Sequence, residues 1–120
     1  METRQFEART LRRSSQPLTK SDLEEGGIYF VCGFLDKEMV IPELRPVVFV
    51  GRNLEGESDE IRCYFQDFAS YRRGTRFETS TEDAPAQFEV CKEDDLGFVY
   101  GFEEALNELL KCSLRRRATR

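Results

Sequence analysis

The segment that runs from residue 64 to residue 73 brings aromatic, acidic and basic side chains close together in sequence. It reads Tyr-Phe-Gln-Asp-Phe-Ala-Ser-Tyr-Arg-Arg. Aromatic rings beside a carboxylate can hold a cationic side chain by cation–π attraction and charge, and aromatic-rich grooves also bind proline-rich peptides. We therefore predict that Tyr64, Asp67 and Tyr71 line a partner-binding site, with Arg72 and Arg73 at its rim.

The orientation of Tyr64 follows from the alternation of residues 61–66. Apolar side chains alternate there with polar or aromatic ones, so Tyr64 should face outward if Phe65 faces the core. The alternative interpretation is that Phe68 and Tyr71 pack beneath the loop as ordinary core aromatics, because large aromatic side chains dominate core burial.

Several kinds of catalysis are excluded because the chain contains no His. Ser/His and Cys/His nucleophile pairs and His-containing metal sites cannot be built. A glycine-rich phosphate loop ending in Lys-Ser or Lys-Thr does not occur. A cysteine nucleophile would need a nearby cation to favour its thiolate, and Cys63, beside Arg62, is the most suggestive case. We predict a noncatalytic protein with no cofactor.

Neither the cysteines nor the acidic turns have the spacing of a metal site. Cys32, Cys63, Cys91 and Cys112 are 31, 28 and 21 residues apart, without a Cys-x-x-Cys pair. The acidic run at residues 93–95 could bind a hard cation, but it lacks the alternating ligands of a calcium loop and is typical of a solvated turn. We predict reduced, largely buried cysteines and no bound metal.

Charge is unevenly distributed along the chain. Residues 21–110 carry 21 acidic and eight basic side chains, whereas both ends are basic. An acidic body favours a basic protein or peptide partner and repels phosphate backbones, so nucleic acid could bind only through the ends. The arginines concerned are Arg9, Arg12 and Arg13 near the start, and Arg115, Arg116, Arg117 and Arg120 near the end.

Length and composition predict one folded domain. A chain of 120 residues has no room for a second core, and its aromatic content of 12% argues against disorder. Residues 1–7 lack the apolar centre of a signal peptide, and no run approaches the roughly 18 to 20 apolar residues that span a bilayer. We expect a cytoplasmic protein that does not bind membranes. It should have a mobile basic arm over residues 1–17, a domain over 18–114 and a basic tail over 115–120.

Short apolar and alternating runs predict five or six strands. They lie at residues 28–35, 39–41, 47–51, 61–66, 87–91 and 98–100. The last two runs flank a short acidic turn and are the clearest hairpin signal. Pro42 and Pro46 are expected at strand ends, where a missing amide is tolerated. Before the first strand, Ser21 and Glu24 have the spacing of a capping box, which predicts a helical turn.

From Phe102 onward the apolar period becomes that of a helix. The apolar positions are Phe102, Ala105, Leu106, Leu109, Leu110 and Leu114, and we expect this face to pack against the core. The predicted fold class is α+β, mainly β. It is a small antiparallel barrel or strongly bent sheet of five to six strands with a C-terminal amphipathic helix. The order of the elements resembles that of SH3-like barrels, a likeness of architecture that implies no activity.

Together these patterns predict a noncatalytic protein- or peptide-binding module with an acidic body. The alternative is a nucleic-acid-associated protein that binds through its Arg-rich termini.

Overall fold

The computed structural model of the chain describes residues 2–5, 8, 10–11, 16–56 and 59–118. In chain order this part contains a 3-10 turn at Lys20–Asp22, β1 (Ile28–Phe34), β2 (Pro42–Arg52), β3 (Arg62–Asp67), α1 (Phe68–Arg72), a second 3-10 turn at Phe77–Thr79, β4 (Phe88–Lys92), β5 (Val99–Tyr100) and α2 (Phe102–Ala118). The fold is α+β and mainly β, as predicted. Residues 115–118, which we expected in a basic tail, belong to α2. Four of the arginines that we considered for nucleic-acid binding lie outside the described residues: Arg9, Arg12, Arg13 and Arg120.

The strands form one antiparallel sheet in the order β4-β3-β2-β1-β5. β4 pairs with β3 and β5 pairs with β1, so the hairpin predicted between the last two strands is wrong. A hairpin signal reports two strands joined by a turn. It carries no information about whether those strands pair with each other or with the free edges of β1 and β3, which are more distant in sequence.

The sheet curves until its two edges approach each other. A flat sheet of five strands would hold β4 and β5 about 19 Å apart. The connection between them includes two turns closed by backbone N···O hydrogen bonds of 2.9 and 3.1 Å, and is therefore compact. Cys91 of β4 and Phe98, the residue before β5, accordingly pack against the same core. The described strands form an open sheet rather than a closed barrel, so the SH3-like resemblance stays an interpretation of element order.

The hydrophobic core lies on the concave side of the sheet, which we call the inner face. Phe65 is fully buried there, 5.5 Å from the ring of Phe49 and 6.4 Å from the ring of Tyr29. Burying each large apolar side chain stabilises the fold by about 1.5–3 kcal/mol. The buried members of the cluster are Leu23, Tyr29, Val47, Phe49, Cys63, Phe65, Leu96 and Val99.

β2 is continuous from Pro42 to Arg52, so Pro42 lies at a strand end as predicted, whereas Pro46 lies inside the strand. Residues 39–41, which we expected to form a strand, belong to the connection before β2. Pro42 and Pro46 pair with β1, opposite Phe34 and Phe30. β3 begins to pair with β2 only at Val47. The two prolines therefore lie where β2 has a single neighbour, and a missing amide hydrogen need not interrupt a ladder there.

The turn before β1 is capped two residues earlier than predicted. Thr19, not Ser21, precedes the turn, and its backbone N–H and hydroxyl donate to the Asp22 carboxylate at 3.0 and 2.8 Å. The Glu24 N–H donates instead to the Tyr29 hydroxyl at 2.8 Å. Thr19 and Asp22 have the same spacing as the residues of a capping box, so the sequence offered two overlapping candidates.

α2 packs against β1 and β5 through only part of the face that we predicted. Ala105 and Cys112 are buried, whereas Phe102, Leu106 and Leu114 are 67%, 44% and 52% exposed. The expectation that these three side chains face the core is therefore wrong. Small side chains at positions 105 and 112 let the helix approach the strands closely, and the helix starts two residues after β5 ends, which limits its rotation.

Candidate functional site

Tyr64 is buried, which corrects the outward orientation predicted for it. Its side chain is 1% exposed on the outer, convex face of β3. Phe77 from the second 3-10 turn meets its ring edge to face at 5.8 Å, and Phe77 also contacts Phe88 at 5.5 Å. Alternation does turn Tyr64 away from Phe65. The outer face is covered at this point by the chain that follows α1, so the residue enters a second layer instead of solvent.

We call residues 68–79, which cover the outer face of β3, the covering layer. A buried amide ties this layer to β3. The side-chain nitrogen of Gln66 donates to the Ser70 hydroxyl at 2.9 Å and to the Thr75 carbonyl at 2.8 Å, and all three residues are buried. A buried polar group without partners would cost free energy, so these bonds hold α1 and the following turn in place. Residues 68–79 are therefore part of the folded core structure rather than an exposed loop.

Asp67 caps α1. Its carboxylate accepts hydrogen bonds from the backbone N–H and hydroxyl of Ser70 and from the Gln87 N–H at 2.8 Å. Burial acts to raise the pKa of this carboxyl, but the hydrogen bonds from Ser70 and Gln87 outweigh it and the pKa lies below its ordinary value. The ionised carboxylate thus joins the start of α1 to the residue before β4.

Tyr71 lies half-buried beneath an arginine of the same chain. The Arg76 Cζ is 3.8 Å from the centroid of the Tyr71 ring. The Arg76 guanidinium also donates to the carbonyls of Tyr71 and Thr75 at 2.9 and 2.8 Å. The aromatic and cationic groups that we predicted would meet across an interface therefore already meet within the chain.

Arg72 and Arg73 are exposed at the end of α1. The Arg73 guanidinium donates to the Pro85 carbonyl at 3.2 Å, across the surface of the covering layer. The structure thus brings four of the predicted site residues together around α1, while Tyr64 lies beneath Phe77 of the second 3-10 turn. A partner-binding role for Asp67, Tyr71, Arg72 and Arg73 stays a prediction.

A different surface, which the sequence suggested was core, is exposed on α2. Phe102, Leu106, Leu110 and Leu114 are spaced four residues apart, and we call this row the α2 stripe. Leu110 is half-buried and the other three are exposed. Side chains four residues apart lie on neighbouring turns of one helix face, so the stripe forms an apolar row about 18 Å long.

The α2 stripe adjoins further apolar surface. The ring of Phe102 meets Phe30 of β1 edge to face at 4.9 Å. Next to the stripe, a groove of about 460 Å³ separates α2 from the start of β2. Its lining residues are Pro42, Leu109, Cys112, Ser113, Arg116 and Arg117. The apolar row therefore lies beside a groove that Arg116 and Arg117 make basic near the end of α2.

α2 carries opposite charges at its two ends, in the order that complements the helix dipole. The Arg115 Nε donates to the Met39 carbonyl at 2.8 Å, and its guanidinium lies 5.0 Å from the centroid of the Phe34 ring. Arg115 therefore anchors the helix to the β1–β2 turn, while the next two arginines are exposed. The charged residues of the end turns are Glu103, Glu104, Arg115, Arg116 and Arg117.

The four cysteines are free thiols in two neighbouring pairs. Cys63 lies directly opposite Cys91 in the β3–β4 ladder, and Cys32 lies close enough to Cys112 for a charge on one to affect the other. Burial raises the pKa of Cys32 and Cys63, and raises that of Cys91 to about 11. The cation near Cys63 is Arg52, and it only partly opposes this increase. A reactive thiolate at Cys63 is therefore disfavoured.

Within the described residues, no group of three cysteine or carboxylate side chains is arranged to hold a metal ion. In the same part of the chain, no helix is both long and apolar enough to cross a bilayer. The chain matches no known protein family, no curated protein and no solved structure. The α2 stripe is accordingly a candidate site that rests on the geometry of this chain alone.

Proposed function

We propose that this chain is a noncatalytic protein-binding module and that the α2 stripe is its contact surface. The observation that carries the proposal is the exposure of Phe102, Leu106 and Leu114 on a helix whose opposite side is packed against the sheet. Single exposed leucines are ordinary on soluble proteins, but a contiguous apolar row marks an interaction site.

The partner that fits is an amphipathic segment whose apolar side chains cover the stripe. Its charges should run opposite to those of α2, with basic groups beside Glu103 and Glu104 and acidic groups beside Arg116 and Arg117. Apolar contact supplies about 25 cal/mol per Å² before the costs of association, and the end charges select the orientation. We expected a basic partner, and under this proposal its basic groups lie at the end of the segment that contacts the first turn of α2.

Retention of proteins from a cell extract on immobilised protein tests this proposal. The baits are the wild-type chain, Leu106→Glu and a matched control, Val90→Glu. The two replaced side chains are similarly exposed, at 44% and 42%, but Val90 lies on β4, at the sheet edge opposite β5. We expect proteins that bind wild type and Val90→Glu to be lost with Leu106→Glu. Proteins that are retained, and retained equally, by all three baits would reject the α2 stripe as the contact surface.

A further inference from the structure

We infer that the segment covering the α2 stripe is the α2 stripe of a second copy of this chain, so that two chains pair through antiparallel helices. The inference rests on the proposed function, because it names the partner of the same surface. Both helices then supply the apolar row and the opposite end charges that the partner requires.

The spacing of the stripe makes it complementary to its own reversed copy. In a symmetric dimer both chains use the same patch, related by a two-fold axis. An axis beside Leu110 places that residue next to the second copy's Leu110. Antiparallel helices then place Leu106 beside the second copy's Leu114, and Leu114 beside the second copy's Leu106. Because the steps along the row are equal, the ridge of side chains four residues apart on each helix can pack into the groove beside the ridge of the other helix.

Charge favours the antiparallel order over the parallel one. The same axis brings Glu103 near the second copy's Arg117, and the two-fold symmetry repeats this contact at the other end. A parallel pair would instead set the basic last turns of both helices side by side. Like charges at that distance oppose association.

The charge of the remaining surface points to the same helix. Residues 102–118 carry three acidic and four basic side chains, whereas the whole chain has 23 acidic and 18 basic residues and a net charge of −5. Two acidic bodies repel each other. The nearly balanced charge along α2 therefore opposes self-association less than the average charge of the chain would.

Sedimentation equilibrium of the purified full chain tests the pairing. A single helix pair buries less area than a standard interface, so we expect a weak dimer and a concentration range of about 5 to 500 µM is suitable. Wild type and Val90→Glu should approach twice the chain mass of 14.0 kDa. Leu106→Glu and Leu114→Glu should each remain at the monomer mass. A monomeric wild type, or a dimer that persists in both leucine variants, would overturn the inference.

A charge exchange tests the antiparallel order. Arg117→Glu should weaken the dimer at least about fivefold, because the two-fold axis creates two Glu103–Arg117 contacts and the substitution removes both. The double variant Glu103→Arg with Arg117→Glu should restore the affinity. An unchanged dissociation constant for Arg117→Glu would overturn the proposed order.

The two proposals fail in different ways. If wild type stays monomeric while extract proteins are lost only with Leu106→Glu, the second copy is rejected and the protein-binding surface is kept. If both leucine variants abolish the dimer and no extract protein is retained, the second copy is supported as the partner of the stripe. Circular dichroism of each variant confirms folding, and Leu114→Glu replaces the more exposed of the two leucines.

Discussion

The guanidinium of Arg76 lies over the ring of Tyr71, with its Cζ 3.8 Å from the ring centroid. This is the contact that we predicted Tyr71 would offer to a cation of a partner. Arg76 follows only five residues later and is held there by a hydrogen bond to the Tyr71 carbonyl at 2.9 Å. A partner's cation would therefore have to displace Arg76 from the Tyr71 ring.

Replacing Tyr64 should test that layer. We expect Tyr64→Ala to lower the free energy of unfolding by about 3–5 kcal/mol, because it removes a fully buried aromatic ring that packs on Phe77. Tyr64→Phe keeps the ring and should cost much less. Tyr71→Ala should also cost less, because that side chain is half-buried. Urea denaturation followed by circular dichroism measures all three, and a Tyr64→Ala variant as stable as wild type would contradict the burial.

A carboxylate introduced at two adjacent positions of α2 should lower the stability of the fold by very different amounts. From the sequence stripe alone, Leu106→Asp would unfold the domain. From its 44% exposure, we expect its free energy of unfolding to change by no more than about 1 kcal/mol. Ala105→Asp should instead cost several kcal/mol, because position 105 is buried against the sheet. Thermal melting of the two variants decides which helix face is packed. Equal loss in both would favour the original stripe.

The charge of Asp67 should stabilise the fold in a pH-dependent way. The pKa of this carboxyl is lower in the folded chain than in the unfolded one, where it is about 3.9. Its contribution is therefore complete above that pH and is lost as the pH falls through the lower, folded value. Asp67→Asn keeps a capping side chain but removes the charge. The difference in unfolding free energy from wild type should be largest near pH 7 and shrink below about pH 4.

Urea titrations at several pH values measure this difference. Asp83→Asn, on an exposed loop, is the matched control and should change the free energy of unfolding little at any pH. A wild-type advantage over Asp67→Asn that grows toward low pH would show that the sign is wrong.

The cysteines should react slowly in the folded protein. The pKa of Cys91 is about 11. At pH 8 such a thiol carries less than about one hundredth of the thiolate of a thiol with the ordinary pKa. Burial disfavours the thiolates of Cys32 and Cys63 in the same direction. We expect few thiols to react with a disulfide reagent before denaturant is added, and four afterward. Rapid reaction of Cys63 in the native state would revive it as a nucleophile candidate.

Nucleic-acid binding, the alternative function, should be electrostatic if it occurs. Arg116→Gln with Arg117→Gln should weaken it, and affinity should fall steeply with salt as bound counterions are released. These substitutions are cleaner than a deletion of residues 113–120, because α2 continues through Ala118. Filter binding of a random oligonucleotide at two salt concentrations provides the measurement. Sequence-selective binding that survives high salt would contradict this account.

Local periodicity was sufficient to identify most elements of the fold. Alternation over residues 61–66 indicated β3, and the helical period from Phe102 indicated α2 with its correct starting residue. These patterns depend on backbone geometry within a few residues, which repeats every two residues in a strand and every 3.6 in a helix. Strands and helices could therefore be recognised without knowledge of their neighbours.

Which surfaces meet was decided only by the tertiary structure. Alternation separated Tyr64 from Phe65 correctly, but Phe77, thirteen residues away, determined that both faces of β3 are buried. β4 and β5 joined the unpaired edges of β3 and β1 instead of each other. The attachment of α2 turned small side chains toward the sheet and left Leu106 exposed. Each outcome depends on contacts between residues distant in sequence, and a periodic pattern carries no information about which distant residue covers a given face.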